Sequence, residues 1–154
     1  MTKYYCGIDP GKQGAIAFIS DDGSEYFVDD IDLLFCGEIR TYGDNIKACG
    51  LEKVHAMPAQ GVVSMFSMGE NYGRIQGVLF ALDVPYMLIT PQIWQKGIIP
   101  RGLDKKTKKK EHVKIAQKMF PNAELYTPRG RALDGRADAL LIADYVRRIQ
   151  LPKT

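Results

Sequence analysis

Lys3-Tyr4-Tyr5-Cys6-Gly7-Ile8-Asp9-Pro10-Gly11-Lys12-Gln13-Gly14 runs into Ala15-Ile16-Ala17-Phe18-Ile19, and the two apolar runs read as strands joined by a tight turn. Pro10, Gly11 and Gly14 supply the backbone conformations that such a hairpin requires. Asp9 stands where the first run ends. An ionised side chain beside a core is costly unless something pairs with it or coordinates it. Asp9 is therefore a candidate metal ligand at the end of a buried strand. The alternative is a turn aspartate accepting from the amides around Gly11.

A second carboxylate repeats this arrangement further on. Asn45 to Val54 reads as a run that ends in Glu52, followed by the loop His55-Ala56-Met57-Pro58-Ala59-Gln60-Gly61. His55 reads as a loop residue with a local hydrogen bond. Between the two carboxylates, Ser24-Glu25-Tyr26-Phe27-Val28 is expected as a third strand. Ile31, Leu33, Leu34, Phe35 and Ile39 suit a short helix with Glu38 and Arg40 on its polar side. From about Val63 to Leu82, Met68, Tyr72, Ile75, Leu79 and Leu82 recur at helical spacing. Beside them run Gly69, Gly73, Gly77 and Ala81, a line of small residues that favours close approach of the sheet or of a second copy of the helix. Pro85 to Thr90 reads as a further buried strand, and Thr90-Pro91 opens a short helix through Ile93 and Trp94.

Gly97 to Leu103 is a loop, and beyond it the charge changes character. Arg101, Lys105, Lys106, Lys108, Lys109, Lys110, Lys114 and Lys118 crowd one segment with few acids. A helix from about Thr107 to Met119 buries Val113, Ile115, Ala116 and Met119 or Phe120 and turns its lysines outward. A lysine-rich face is often only a solvated one, but this run is dense and follows a loop, which suits the phosphate backbone of a nucleic acid. Pro121 ends the helix. The segment Asp134 to Arg148 is the clearest helix of the chain, with Asp134 as a cap and Arg147 and Arg148 near its negative end. Asp134 and Asp138, four apart, share a face; Asp144 points elsewhere and is expected at the surface.

The chain has 154 residues and a formal net charge of +3. It fits a single domain, 1–154, with a core that needs no staples. No run suits a signal peptide or a membrane span, so a cytoplasmic protein without a membrane partner is expected. Cys6, Cys36 and Cys49, an odd number at unrelated spacings, read as buried thiols rather than a disulfide frame or zinc site. Asp and Glu predominate in residues 1–52, Lys and Arg in 53–154. Such asymmetry suggests a surface that meets an acidic polymer.

Asp9, Glu52, Asp134 and Asp138 together suggest one acidic cluster. Like charges repel, so a cluster of this kind needs cations, and oxygen ligands favour Mg²⁺ or Mn²⁺ over zinc. Two such ions can activate a water and stabilise the leaving oxygen of a phosphodiester.

Gly7-Ile8-Asp9-Pro10-Gly11, Glu52-Lys53-Val54-His55 with its Pro/Gln/Gly loop, and Asp134-Gly135-Arg136-Ala137-Asp138-Ala139-Leu140 resemble, in order, the three signature blocks of RuvC-type Holliday junction resolvases. The similarity extends over nearly the whole chain, whose compact length suits a phage-encoded member. It implies an α/β, RNase H-like fold: a five-stranded mixed sheet, its first three strands antiparallel, with helices on both faces. It also implies a homodimer that makes paired, symmetrical, Mg²⁺-dependent nicks in four-way DNA junctions. Asp9, Glu52 and Asp138 match the family's metal-binding acids. Asp134 lies four residues before the last Asp where well-known bacterial members have the extra ligand three before, and Gly135 fills that offset. Phe66, with Met65 beside it, is the nearest match to the aromatic residue that opens the junction centre; a core contact is the other reading of Phe66. Lys108, Lys109, Lys110 and Lys114 fall where the family places DNA-contacting lysines, one of which steadies the scissile phosphate. Lys12, Arg101, Lys105 and Lys106 complete the expected DNA contacts.

Three alternatives stay open. A nuclease of the same fold with broader branch- or flap-cutting preference would carry the same residues. An inactive binder of branched DNA would not need all four acids. The Asp9-Pro10-Gly11-x-x-Gly14 turn also resembles the phosphate loop of the ATP-binding actin and sugar-kinase superfamily, but that fold needs a second domain and a second phosphate loop.

Overall fold

In the computed structural model, which describes residues 1–32 and 35–150, the first two apolar runs form β1 (Tyr4–Asp9) and β2 (Ala15–Ser20), paired antiparallel from Tyr4↔Ser20 to Asp9↔Ala15. β3 (Tyr26–Asp30) pairs antiparallel with β2. It begins two residues later than expected. Asp22 accepts from the Ser24 amide and hydroxyl, and the Ser20 amide bonds the Glu25 carbonyl, so Ser24 and Glu25 belong to the turn. β4 (Ile46–Glu52) adds to the other edge of β1, parallel, and β5 (Tyr86–Ile89) lies parallel beyond it. The sheet order is β3-β2-β1-β4-β5, the five-stranded mixed sheet with three antiparallel leading strands that the resemblance implies.

Apolar residues on both sides of each central strand bury both faces of the sheet. Cys6, Ile8, Ile16, Phe18, Cys49 and Leu51 meet α1 (Cys36–Tyr42) and α2 (Val62–Ala81) through Phe35, Ile39, Ile75 and Leu79. Leu33 and Leu34, expected in the first helix, lie outside the described residues. On the opposite face Tyr5, Ala17, Ile19 and Ala48 pack under α3 (Pro91–Trp94), α4 (Lys105–Met119) and α5 (Asp134–Gln150). Cys6 and Cys49 are buried free thiols, whereas Cys36 is only half-buried.

Helix α5 lies directly on β1 because Gly7 has no side chain there: a Cβ would collide with Ala139 O and Ala143 N. Gly135 does the same at the start of α5, where a Cβ would strike the carbonyl of Gln13. These two close approaches fix the first turn of α5 over the β1–β2 turn.

Several helical expectations are corrected. Asp104, not a residue near Thr107, caps α4, accepting from the amides of Lys106 and Thr107. The buried residues of α4 are His112, Val113 and Ala116; Phe120 just beyond it is buried, while Met119 is exposed. Asp134 is the first residue of α5 rather than its cap, and Leu133 O accepts from Arg136 and Ala137. Thr90 holds the cap position of α3 without a side-chain bond. Asp144 is not a surface residue: it is 3% exposed and binds Arg147 at 3.1 Å and Arg148 at 2.8 Å. It faces away from Asp138, as its spacing requires, but α5 is covered on that side too. Finally, Gly69, Gly73 and Gly77 do not press against the sheet. Ile75 and Leu79 do, and a Cβ on any of the three glycines would meet nothing within 4 Å. Among the described residues no helix is long and apolar enough to cross a membrane.

Candidate active site

Because β1 and β4 are parallel neighbours, with Ile8 opposite Leu51, their last residues Asp9 and Glu52 emerge at the same end of the sheet. The first turns of α5 bring Asp134 and Asp138 to that end. The four acids lie within electrostatic reach of one another: the charges of Asp138, Glu52 and Asp134 all push Asp9 up.

Protonation reports this crowding. Asp9 is pushed up to about 8 by burial first and by Asp138 next, against the pull of the Gly11 amide, which donates to its Oδ1 at 2.9 Å. The turn reading of Asp9, a carboxylate that accepts from the Gly11 amide, is the one the structure shows. Burial also raises Glu52, opposed by a hydrogen bond from Trp94 and by the charges of His112 and Lys108. It raises Asp138, opposed by His112. Hydrogen bonding to Asp134 raises Lys109. Burial and mutual repulsion favour the protonated form of these carboxyl groups, so a divalent ion bound among them would have to displace protons.

Each acid leans on its own donor. Trp94 Nε1 donates to Glu52 Oε2 at 2.7 Å, His112 Nδ1 lies 2.6 Å from Asp138 Oδ1, and Lys109 Nζ lies 2.6 Å from Asp134 Oδ2. Among the described residues no three His, Cys, Asp or Glu side chains are gathered to hold a metal ion. The acidic cluster expected from the sequence is therefore not assembled, although the four carboxylates share one end of the sheet and act on the charge of Asp9. The donor set itself, four carboxylates without thiolate, fits Mg²⁺ or Mn²⁺.

Around these acids the expected cations divide. Lys108 and Lys109 face the acids. Lys105, Lys106, Lys110 and Lys114 are exposed, Lys114 pairing with Glu111 at 2.9 Å. Lys12 lines a cleft of about 240 Å³ beside Asp134, shared with Arg131 and Arg136. Arg101 and Lys108 line another of about 380 Å³, together with Gln92, Gln95 and Lys96. Phe66 is 71% exposed on α2, so the core reading of it is wrong. His55 is exposed.

Sequence reasoning did not single out Trp94, His112 or Arg136 as neighbours of the acids. Arg136 binds Asp30 at 2.8 Å and Asp29 at 3.1 Å, tying the start of α5 to the end of β3. His112 had one legible signal: three residues beyond Lys109 and four beyond Lys108, it shares their helical face. Nothing local pairs Trp94 with Glu52, 42 residues away.

No protein-family model matches the chain, and no curated protein matches it in sequence. Solved structures do match. The chain is similar to Thermus thermophilus RuvC in complex with a Holliday junction substrate, with TM-score 0.60 and 16% identity over 96% of each chain. A second Thermus thermophilus RuvC structure gives TM-score 0.57 and 19% identity over 97% of this chain and 96% of that one. Fowlpox virus resolvase in complex with Holliday junction DNA gives TM-score 0.59 and 17% identity over 97% of this chain and 99% of that one. At these identities the likeness is one of fold. The chain has the RNase H-like fold of RuvC-type resolvases.

Proposed function

We propose that a chain with this fold and these four acids toward one end of its sheet is a structure-specific endodeoxyribonuclease that resolves four-way DNA junctions by paired, symmetrical nicks. One observation carries the reading. Carboxylates from β1, β4 and α5 perturb one another's protonation at one end of the sheet, against a helix whose outer face is lysine.

Asp9, Glu52, Asp134 and Asp138 would hold Mg²⁺, with Mn²⁺ as a substitute. Two such ions, when bound, supply an activated water and a counter-charge for the leaving oxygen of the phosphodiester. Lys109, now paired with Asp134 at 2.6 Å, would exchange that carboxylate for the scissile phosphate. Lys105, Lys106, Lys110 and Lys114 follow the backbone of one arm, where each phosphate neutralised releases counter-ions. Lys12 and Arg101 extend the contacts on either side, and Phe66, exposed at the start of α2, meets the unpaired bases at the junction centre.

A junction with two symmetrical cuts needs two sites, hence a homodimer. Helix α2 offers the surface: Val62 and Phe80 are 81% and 80% exposed, and they flank the open line of Gly69, Gly73 and Gly77. Exposed apolar surface of this kind, with room for a second backbone, suits a copy of the same helix. The protein would act in the cytoplasm on recombination, repair and replication intermediates.

The test compares four-way junctions, flaps and linear duplex with Mg²⁺, for the parent and Asp9→Asn. Junction cutting by the parent, with binding kept and cutting lost in the variant, supports the reading. Equal cutting of flaps would move it to a general branch nuclease. Unchanged cutting by Asp9→Asn would remove Asp9 from the mechanism.

A further inference from the structure

We infer that Trp94 and His112 are positioning residues, which hold Glu52 and Asp138 in a preset arrangement for the divalent cation; the inference deepens the nuclease reading and rests on it. Neither residue belongs to an element that carries one of the four acids. Trp94 ends α3 and His112 lies within α4, yet each bonds an acid, at 2.7 Å and 2.6 Å, on β4 and α5 respectively. The two rings also meet edge to face, with centroids 5.3 Å apart at 66°. Glu52, Trp94, His112 and Asp138 therefore form a continuous chain of contacts. Through it the spacing of two carboxylates that repel each other is set by an aromatic pair between them.

Burial argues that the pair is there for its polar atoms. Trp94 is fully buried and His112 is 4% exposed. An indole needs an acceptor and takes Glu52. The imidazole fares worse, because its Nε2 is buried with no hydrogen-bond partner among the described residues. The tautomer with its proton on Nδ1 donates to Asp138 and leaves Nε2 a buried acceptor that no described side chain or backbone group meets. For packing alone an apolar side chain would serve better than a half-satisfied imidazole. What remains to explain His112 is the bond from Nδ1.

The chemistry is suited to positioning. Each bond claims one oxygen of its carboxylate, Oε2 of Glu52 and Oδ1 of Asp138, and the second oxygen of each is left for a cation. Carboxylates that ligate metals are themselves held by such partners, and removing a partner lowers metal affinity or activity about 10- to 100-fold. His112 also shares its helix with the lysines proposed to contact DNA, so seating of α4 against its substrate is transmitted directly to Asp138.

Trp94 is the only tryptophan of the chain, so intrinsic emission reads the Glu52 end of the arrangement without DNA. Titration of the full chain with MgCl₂ alone is expected to change Trp94 emission saturably. In His112→Ala the midpoint should move to about 10- to 100-fold higher Mg²⁺. His112→Asn, whose amide nitrogen takes the place of Nδ1, should recover most of that shift. In junction cleavage the Ala variant should lose kcat with KM for DNA unchanged. Trp94→Phe, nearly isosteric, removes only the donor and guards against a variant that fails to fold; calorimetric Mg²⁺ titration should show weaker binding. Any of three results would overturn the inference: parental emission indifferent to Mg²⁺, an Asn variant no better than Ala, or Trp94→Phe binding Mg²⁺ as the parent does. Parental emission that responds as expected, in a protein that cuts no DNA, would leave the positioning role standing and reject the nuclease reading instead.

Discussion

Asp9 shows what the site demands of a single residue. In the fold it titrates at about 8 against an ordinary 3.8, because burial and neighbouring carboxylates oppose its ionisation. A folded-state pKa above the unfolded one contributes stability that is complete below the lower value and lost as pH rises through the higher. Burial of Glu52 and Asp138 acts in the same direction. Metal-free protein should therefore melt at progressively lower temperature between pH 3.8 and about 8, and Asp9→Asn should flatten that decline. Mg²⁺ should restore the melting temperature most at the alkaline end, where it need not compete with protons. Calorimetric scans across pH, with EDTA and with Mg²⁺, check both; a decline of equal slope in Asp9→Asn would count against Asp9 as its source. The positions of Asp9 and Glu52 at strand ends were legible because a carboxylate closing an apolar run is anomalous wherever it occurs. The donors to Glu52 and Asp138 were not, since a tryptophan and a histidine inside apolar helices look like ordinary core, and only the fold brings residue 94 to residue 52.

At the scale of elements, α4 and α2 each present a surface that the protomer leaves uncovered, and the two should respond differently. The outer lysines of α4 act as separate charges. Replacing Lys106 and Lys110 by Ala should weaken junction binding at low salt and reduce the slope of log affinity against log salt by about 0.9 for each phosphate that is no longer neutralised. Electrophoretic mobility shifts over a salt series measure this, and an unchanged slope would return that face to plain solvation. For α2 the sequence legibly showed two neighbouring lines, one apolar and one of small residues, but not which of them meets the sheet. Side-chain volume decided it: Ile75 and Leu79 fill the space beneath the helix, and the glycines are left outside. Gly73→Leu discriminates the uses of that outer line. In a monomer a Cβ at this position meets nothing within 4 Å among the described residues, and helix propensity improves by about 1 kcal/mol. In a dimer packed through this face it separates the helices. Sedimentation velocity should show a dimeric parent and a monomeric, equally well-folded variant that no longer makes paired cuts; a dimeric variant would place the interface elsewhere.

For the whole molecule the governing feature is that one helix is anchored at both ends. The start of α5 delivers Asp134 and Asp138 to the acids of the sheet, and its far end is tied to the β2–β3 turn by Arg147, which donates to the carbonyl of Asp21 at 3.4 Å while Asp144 holds its guanidinium. Apolar runs and tight turns marked the strands one by one, but their assembly into a five-stranded mixed sheet was implied by the resemblance, and the order β3-β2-β1-β4-β5 comes from the fold. The burial of Asp144 was not legible, because helical spacing gives direction around an axis and says nothing of what covers that direction. What seats α5 on the sheet is the close approach at Gly7, whose strand neighbours Ala17 and Gly50 are themselves small. Gly7→Ala puts a methyl group against backbone atoms of residues 139 and 143, which cannot rotate aside as a side chain would. Overpacking of this kind costs about 1–3 kcal/mol or more, and relief requires α5 to lift from β1. Since Asp138 precedes Ala139 directly, the site should loosen along with the fold. Urea denaturation should show a lower midpoint and MgCl₂ titration a weaker response of Trp94. Gly37→Ala, where a Cβ meets nothing within 4 Å among the described residues, should leave both near the parental values. A Gly7→Ala protein with parental stability and Mg²⁺ response would mean that the alignment of the acids does not depend on how closely α5 lies on the sheet.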